Sequence, residues 1–106
     1  MTVHDIKDKD GRVSAFEISN LLVSRRRVCR ILQTIPGVRI LRKPRFLSRL
    51  REDEFCEFEV SGQKFKAWEP WGDSSRFWIG PEPTQWCEQI AVVRDAFERH
   101  GFVGRA

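Results

Sequence analysis

Eight consecutive residues concentrate reactive side chains. Glu69, Pro70, Trp71, Gly72, Asp73, Ser74, Ser75 and Arg76 supply two carboxylates, two hydroxyls, a guanidinium and an indole. Two carboxylates so close are the raw material of a general acid and base. The same residues also build a tight turn. Pro70 suits the second position of a type I turn and Gly72 the fourth, and Asp73 can pair locally with Arg76. The turn is the simpler reading, with Trp71 left to touch a partner.

Other chemistry is scarce. Cys29, Cys56 and Cys87 are odd in number, far apart in sequence and in no C-x-x-C pair. Each sits among apolar residues, as structural thiols in a reducing cytoplasm do. His4 and His100 lie near opposite ends, so no Cys/His cluster forms a transition-metal site. Ser48, Ser61, Ser74 and Ser75 lie in no G-x-S-x-G elbow, and no phosphate-binding glycine loop occurs. An EF-hand register starting at Ile6 puts Asp8, Asp10, Gly11 and Glu17 at ligand or turn positions, but Ile6 cannot be the first ligand. A polar hairpin turn explains that string better. No catalytic residue, metal or cofactor is expected.

Two features point instead to binding. Between Ile18 and Arg51 stand ten basic residues and no Asp or Glu, although the whole chain has a net charge of +4. Arg25, Arg26, Arg27, Arg30, Arg39, Arg42, Lys43, Arg45, Arg49 and Arg51 make up this set. Arginines on one surface neutralise phosphates, which makes Arg26, Arg27, Arg30, Arg39, Arg42 and Arg45 a candidate nucleic-acid interface. Glu52, Asp53, Glu54, Glu57 and Glu59 follow closely and can balance them as an ordinary solvated face. A helix-turn-helix is not evident, because strands follow the basic helix.

The second feature is aromatic. If Phe58, Phe65, Phe77 and Ile79 face the helices, then Phe55, Trp68 and Trp78 face the other way. Beside Lys64, Lys66 and Arg76, such a face can stack bases or anchor a protein partner. No RNP-type consensus is present. The leading site is therefore Phe55, Trp68, Trp71 and Trp78, with Arg76 at the rim.

The elements that must position these residues follow from local patterns. Asp10-Gly11 turns a hairpin with strands near 2–7 and 12–18. A helix starting at the Ser14-x-x-Glu17 capping box competes with the second strand. Val13, Phe16 and Ile18 favour the strand, and Ser19-Asn20 can cap the next helix. Leu21, Leu22, Val28, Cys29, Leu32 and Ile35 form that helix's apolar stripe, opposite Arg26, Arg27 and Arg30. Pro36-Gly37 ends it, and Val38 to Leu41 reads as a strand. Pro44 to Arg51 links the third and fourth strands.

Ser61-Gly62 is the two-residue turn of a second hairpin. Its register pairs Val60 with Gln63, Glu59 with Lys64, Phe58 with Phe65, Glu57 with Lys66, Cys56 with Ala67 and Phe55 with Trp68. Unlike charges meet on one face and apolar residues on the other, so a one-residue slip is disfavoured. Arg76 to Ile79 is a further strand. Thr84 can cap a last helix with Trp86, Cys87, Ile90, Val93 and Phe97 on its buried side and Gly101 just past its end.

The 106 residues are 41% hydrophobic and 32% charged, as in an ordinary soluble protein, and read as a single domain, 1–106. No apolar run reaches the roughly 18 residues of a membrane span, and the N-terminus lacks the apolar core of a secretory leader. The order β-β-α-β-β-β-β-α implies an α+β fold, a mainly antiparallel sheet of five to six strands with two helices packed on it. The reading is a small cytoplasmic binding protein. A protein partner or homodimer on the aromatic face comes first, nucleic acid on the arginines second.

Overall fold

A computed structural model describes residues 3–19, 23–42, 54–69 and 76–103. Its elements are β1 (Val3–Lys7), β2 (Val13–Ser19), α1 (Arg25–Leu32), β3 (Val38–Arg42), β4 (Glu54–Val60), β5 (Gln63–Trp68), β6 (Arg76–Pro81) and α2 (Glu88–Val103). The order β-β-α-β-β-β-β-α is the one the sequence implies. The α+β class holds, with six antiparallel strands in one sheet.

The spatial order is β1-β2-β6-β5-β4-β3. The β1–β2 hairpin forms one edge. The chain then crosses by α1 to the far edge and returns as the meander β3-β4-β5-β6. The return brings β6 against β2, where Phe16 faces Ile79 and Ile18 faces Phe77.

Local chemistry sets the turns. Asp8 Oδ1 accepts from the backbone N–H of Asp10 at 2.9 Å and of Arg12 at 3.0 Å, so Asp8 builds the first hairpin turn. At Ser61 and Gly62, φ is +49° and +85°. Positive φ at both central residues is the hairpin geometry that matches strand twist.

The first helix begins later than its apolar stripe suggests. Ser24, not Ser19-Asn20, is its N-cap, with the Ser24 side chain accepting from the Arg27 N–H at 3.1 Å. That bond satisfies one of the orphan donors of the first turn. Residues 20–22 lie outside the described residues, as does the 43–53 link. The second helix also differs at both ends. It starts at Glu88, and Thr84 lies exposed before it. It runs through Gly101 to Val103. Trp86 is not on its buried side but 42% exposed, under the Arg12 guanidinium, 5.0 Å from the ring centroid.

The core lies between one face of the sheet and the two helices. Val28, Cys29, Ile31 and Leu32 of α1 and Ile90, Val93, Ala96 and Phe97 of α2 meet Phe16, Ile18, Phe58, Phe65, Ala67, Phe77 and Ile79. Phe16 and Phe97 rings lie 5.6 Å apart, and Phe58 stacks on Phe65 at 5.2 Å. At the edge, Arg94 of α2 donates to Asp5 of β1 at 2.5 Å and also pairs with Glu98. The bond to Asp5 holds the Arg94 pKa above its usual value.

One register expectation fails. The pairs from Val60–Gln63 to Cys56–Ala67 are as the alternation implies, but Trp68 faces Glu54 instead of Phe55. A bulge between Glu54 and Cys56 gives β4 an extra residue. It turns Phe55 into the core, where it is 2% exposed and meets Phe77 edge-on at 5.0 Å. Burying a phenylalanine ring gains about 2–3 kcal/mol, more than the roughly 1 kcal/mol of one ladder hydrogen bond.

Candidate functional site: the sheet face opposite the helices

Strand alternation sends every second side chain away from the core. On β2 this turns Glu17 outward; on β6, Arg76, with Trp78 and Gly80 on the same side but buried; on β5, Lys64, Lys66 and Trp68. On β4 it exposes Glu54, Glu57 and Glu59, and on β3, Arg39. Among the described residues, no helix covers this face.

Its centre is a tryptophan pair. Trp68 and Trp78 are direct cross-strand partners on β5 and β6. Their ring centroids lie 3.8 Å apart at an interplanar angle of 24°. Trp78 is the inner ring, 9% exposed. It lies along its own strand over Gly80, where an added Cβ would come 2.6 Å from Trp78 Cη2 and 2.8 Å from Ala15 Cβ. Glycine at 80 and alanine at 15 therefore make the slot that receives Trp78. Trp68 is the outer, half-buried ring.

Ion pairs surround the rings. Lys66 Nζ stands 4.4 Å from the Trp68 ring centroid, 3.1 Å from Glu54 Oε2 and 3.7 Å from Glu82 Oε1. Arg76 Nη1 donates to Glu17 Oε1 at 3.1 Å. Arg39 Nη2 lies 3.0 Å from Glu59 Oε1, and Lys64 Nζ 3.5 Å from Glu57 Oε2. Charge thus changes sign across the face: basic on β3, acidic on β4, basic on β5 and β6, acidic on β2. A mixed face of this kind gives no net field for a polyanion.

The sequence-derived candidates separate. Trp68, Trp78 and Arg76 converge on this face. Phe55 does not; it lies in the core beneath the Arg25 guanidinium, which is 5.0 Å from its ring centroid. Trp71 falls outside the described residues. The arginines split between two sides of the molecule. Arg26 and Arg30 are exposed and Arg27 half-buried on α1, in the helix layer. Arg39 points away from the core on β3 and is bonded to Glu59. Arg45 and the side chain of Arg42 are outside the described residues.

The acid and base expectation for the 69–76 stretch meets a similar division. Glu69 Oε1 accepts from Arg25 Nη2 at 2.6 Å, which ties the end of β5 to the start of α1. Asp73 lies outside the described residues. Among the described residues no group of three His, Cys, Asp or Glu is placed to hold a metal ion.

Sequence reasoning missed Gly80, Glu54 and Ala15 as parts of this face. Gly80 carried the only signal, a glycine inside a strand pattern, which marks close approach of another group. Comparison with protein-family models, with curated proteins and with solved structures gives no match.

Proposed function

We propose that the protein is a protein-binding module that docks through the sheet face that no described helix covers, and that its partner is a second copy of the chain. The observation that carries this reading is the outer ring of the Trp68–Trp78 stack, set among paired charges of both signs. Tryptophan packed on a rigid support is a typical interface anchor, because little side-chain entropy remains to be lost. A two-fold axis along β5 through Trp68 sets the acidic β4 row of one copy against the basic β6 row of the other, and basic β3 against acidic β2. Six strands spaced about 4.8 Å make a face some 25 Å wide and about 20 Å long, about 500 Å² in projection, which suits an interface at the small end of the specific range.

Sedimentation equilibrium over a wide concentration range tests this. The full chain should self-associate, and Trp68→Ala should raise the dimer Kd by roughly thirtyfold while circular dichroism stays native. A monomer at every concentration, or a dimer indifferent to Trp68→Ala, overturns the reading.

A second reading rests on α1. Among the described residues, Arg26, Arg27 and Arg30 have no carboxylate partner, and no acidic residue stands in the first turn. Three cations on one helix can contact phosphates. Oligonucleotide anisotropy at low salt, lost as salt rises and lost in Arg26→Ala/Arg30→Ala, supports it; no binding at low salt ends it.

A further inference from the structure

Cys29 and Cys56 are 27 residues apart in sequence, yet their Sγ atoms lie 3.0 Å apart in the core. Cys29 sits on the buried side of α1 at 6% exposure, and Cys56 on the core side of β4 at 0%. No disulfide joins them; both are thiols. A disulfide needs about 2.05 Å between sulfurs, so closing the gap takes a movement of about 1 Å.

We propose that Cys29 and Cys56 are an oxidation site, converted to an intramolecular disulfide by small hydroperoxides. Burial selects this oxidant class. A protein or peptide disulfide must approach a sulfur in line, which the packing around both thiols prevents, whereas hydrogen peroxide is scarcely larger than water. Cys29, the more accessible thiol, reacts first. Its sulfur attacks one peroxide oxygen, the O–O bond breaks, and Cys29 sulfenic acid and one water form. Cys56 sulfur then attacks Cys29 sulfur. The S–S bond forms, the S–O bond breaks, and the departing hydroxide takes the Cys56 proton as a second water. The two sulfurs lose two electrons and the peroxide oxygens gain them.

The product ties α1 to β4 and closes a loop that contains all of β3. Such a bond acts mainly by restricting the unfolded chain, and more so for long loops. The melting midpoint should rise by on the order of ten degrees. A dithiol reductant should reverse the rise.

The test uses the full chain carrying Cys87→Ser, so that only these two thiols remain. The protein is treated with hydrogen peroxide, quenched, denatured and alkylated. The expected mass is two hydrogens below the reduced chain with no alkyl group added, and peptide mapping recovers one peptide pair linked through Cys29 and Cys56. With Cys56→Ser added, oxidation should stop at Cys29 sulfenic acid, trapped by a cyclic 1,3-diketone. If that variant does not fold, the linked peptide decides alone. Two alkylated thiols after peroxide, sulfinic acid at either position, or a disulfide between chains overturns the proposal.

Discussion

Trp78 is buried on the face of the sheet that no described helix covers, because Trp68 from the next strand lies flat on it at 3.8 Å. The stack is held from below as well. Trp78 occupies a slot that exists only because residue 80 has no side chain, and Gly80 lacks the positive φ that would give glycine a conformational role there.

Gly80→Ala is therefore a steric probe of the tryptophan pair. The new methyl meets the rigid indole edge and Ala15 Cβ, so Trp78 must tilt. Overpacking of this kind costs about 1–3 kcal/mol. Urea unfolding should show the loss, and near-UV circular dichroism should report the altered indole pair. An unchanged near-UV spectrum with native stability refutes the slot.

Phe55→Ala separates the bulged strand from a regular one. In the core beside Phe77, loss of the ring should cost about 3–5 kcal/mol. On a regular β4 the same side chain faces solvent, and its removal costs within about 0.5 kcal/mol. Denaturant midpoints of the two proteins distinguish the cases directly.

Cys87 gives a pH-dependent prediction. Burial pushes its thiol pKa up, opposed in part by backbone hydrogen bonds from Ile90 and Gln89. The folded chain therefore holds the thiol proton more tightly than the unfolded chain does. This contribution to stability is complete below the ordinary thiol range and is lost as pH rises through and above it. Urea midpoints at increasing alkaline pH should fall more steeply for the native chain than for Cys87→Ser. Parallel slopes would show that Cys87 titrates alike in both states.

What the sequence determined by itself is local. The Ser61-Gly62 turn, the Glu57–Lys66 and Glu59–Lys64 pairs and the alternation on β6 all depend on residues close along the chain, so their types and spacing suffice. The element order follows from the same short-range patterns. The helix start is equally local, with Ser24 capping Arg27 three residues on, but Leu21 and Leu22 extend the apolar stripe upstream and so draw the expected start to Ser19-Asn20. Strand order was beyond sequence reach, since pairing β2 with β6 requires the whole meander to return. That single pairing places Trp78 beside Glu17, and the meander places Trp68 on Trp78. The bulge at Phe55 was decided by competition between one ladder hydrogen bond and the burial of a ring, which periodicity does not express. Cys29 meets Cys56, and Arg39 parts from Arg26 and Arg30, for the same reason: distance along the chain carries no information about which face of the sheet a distant element will cover.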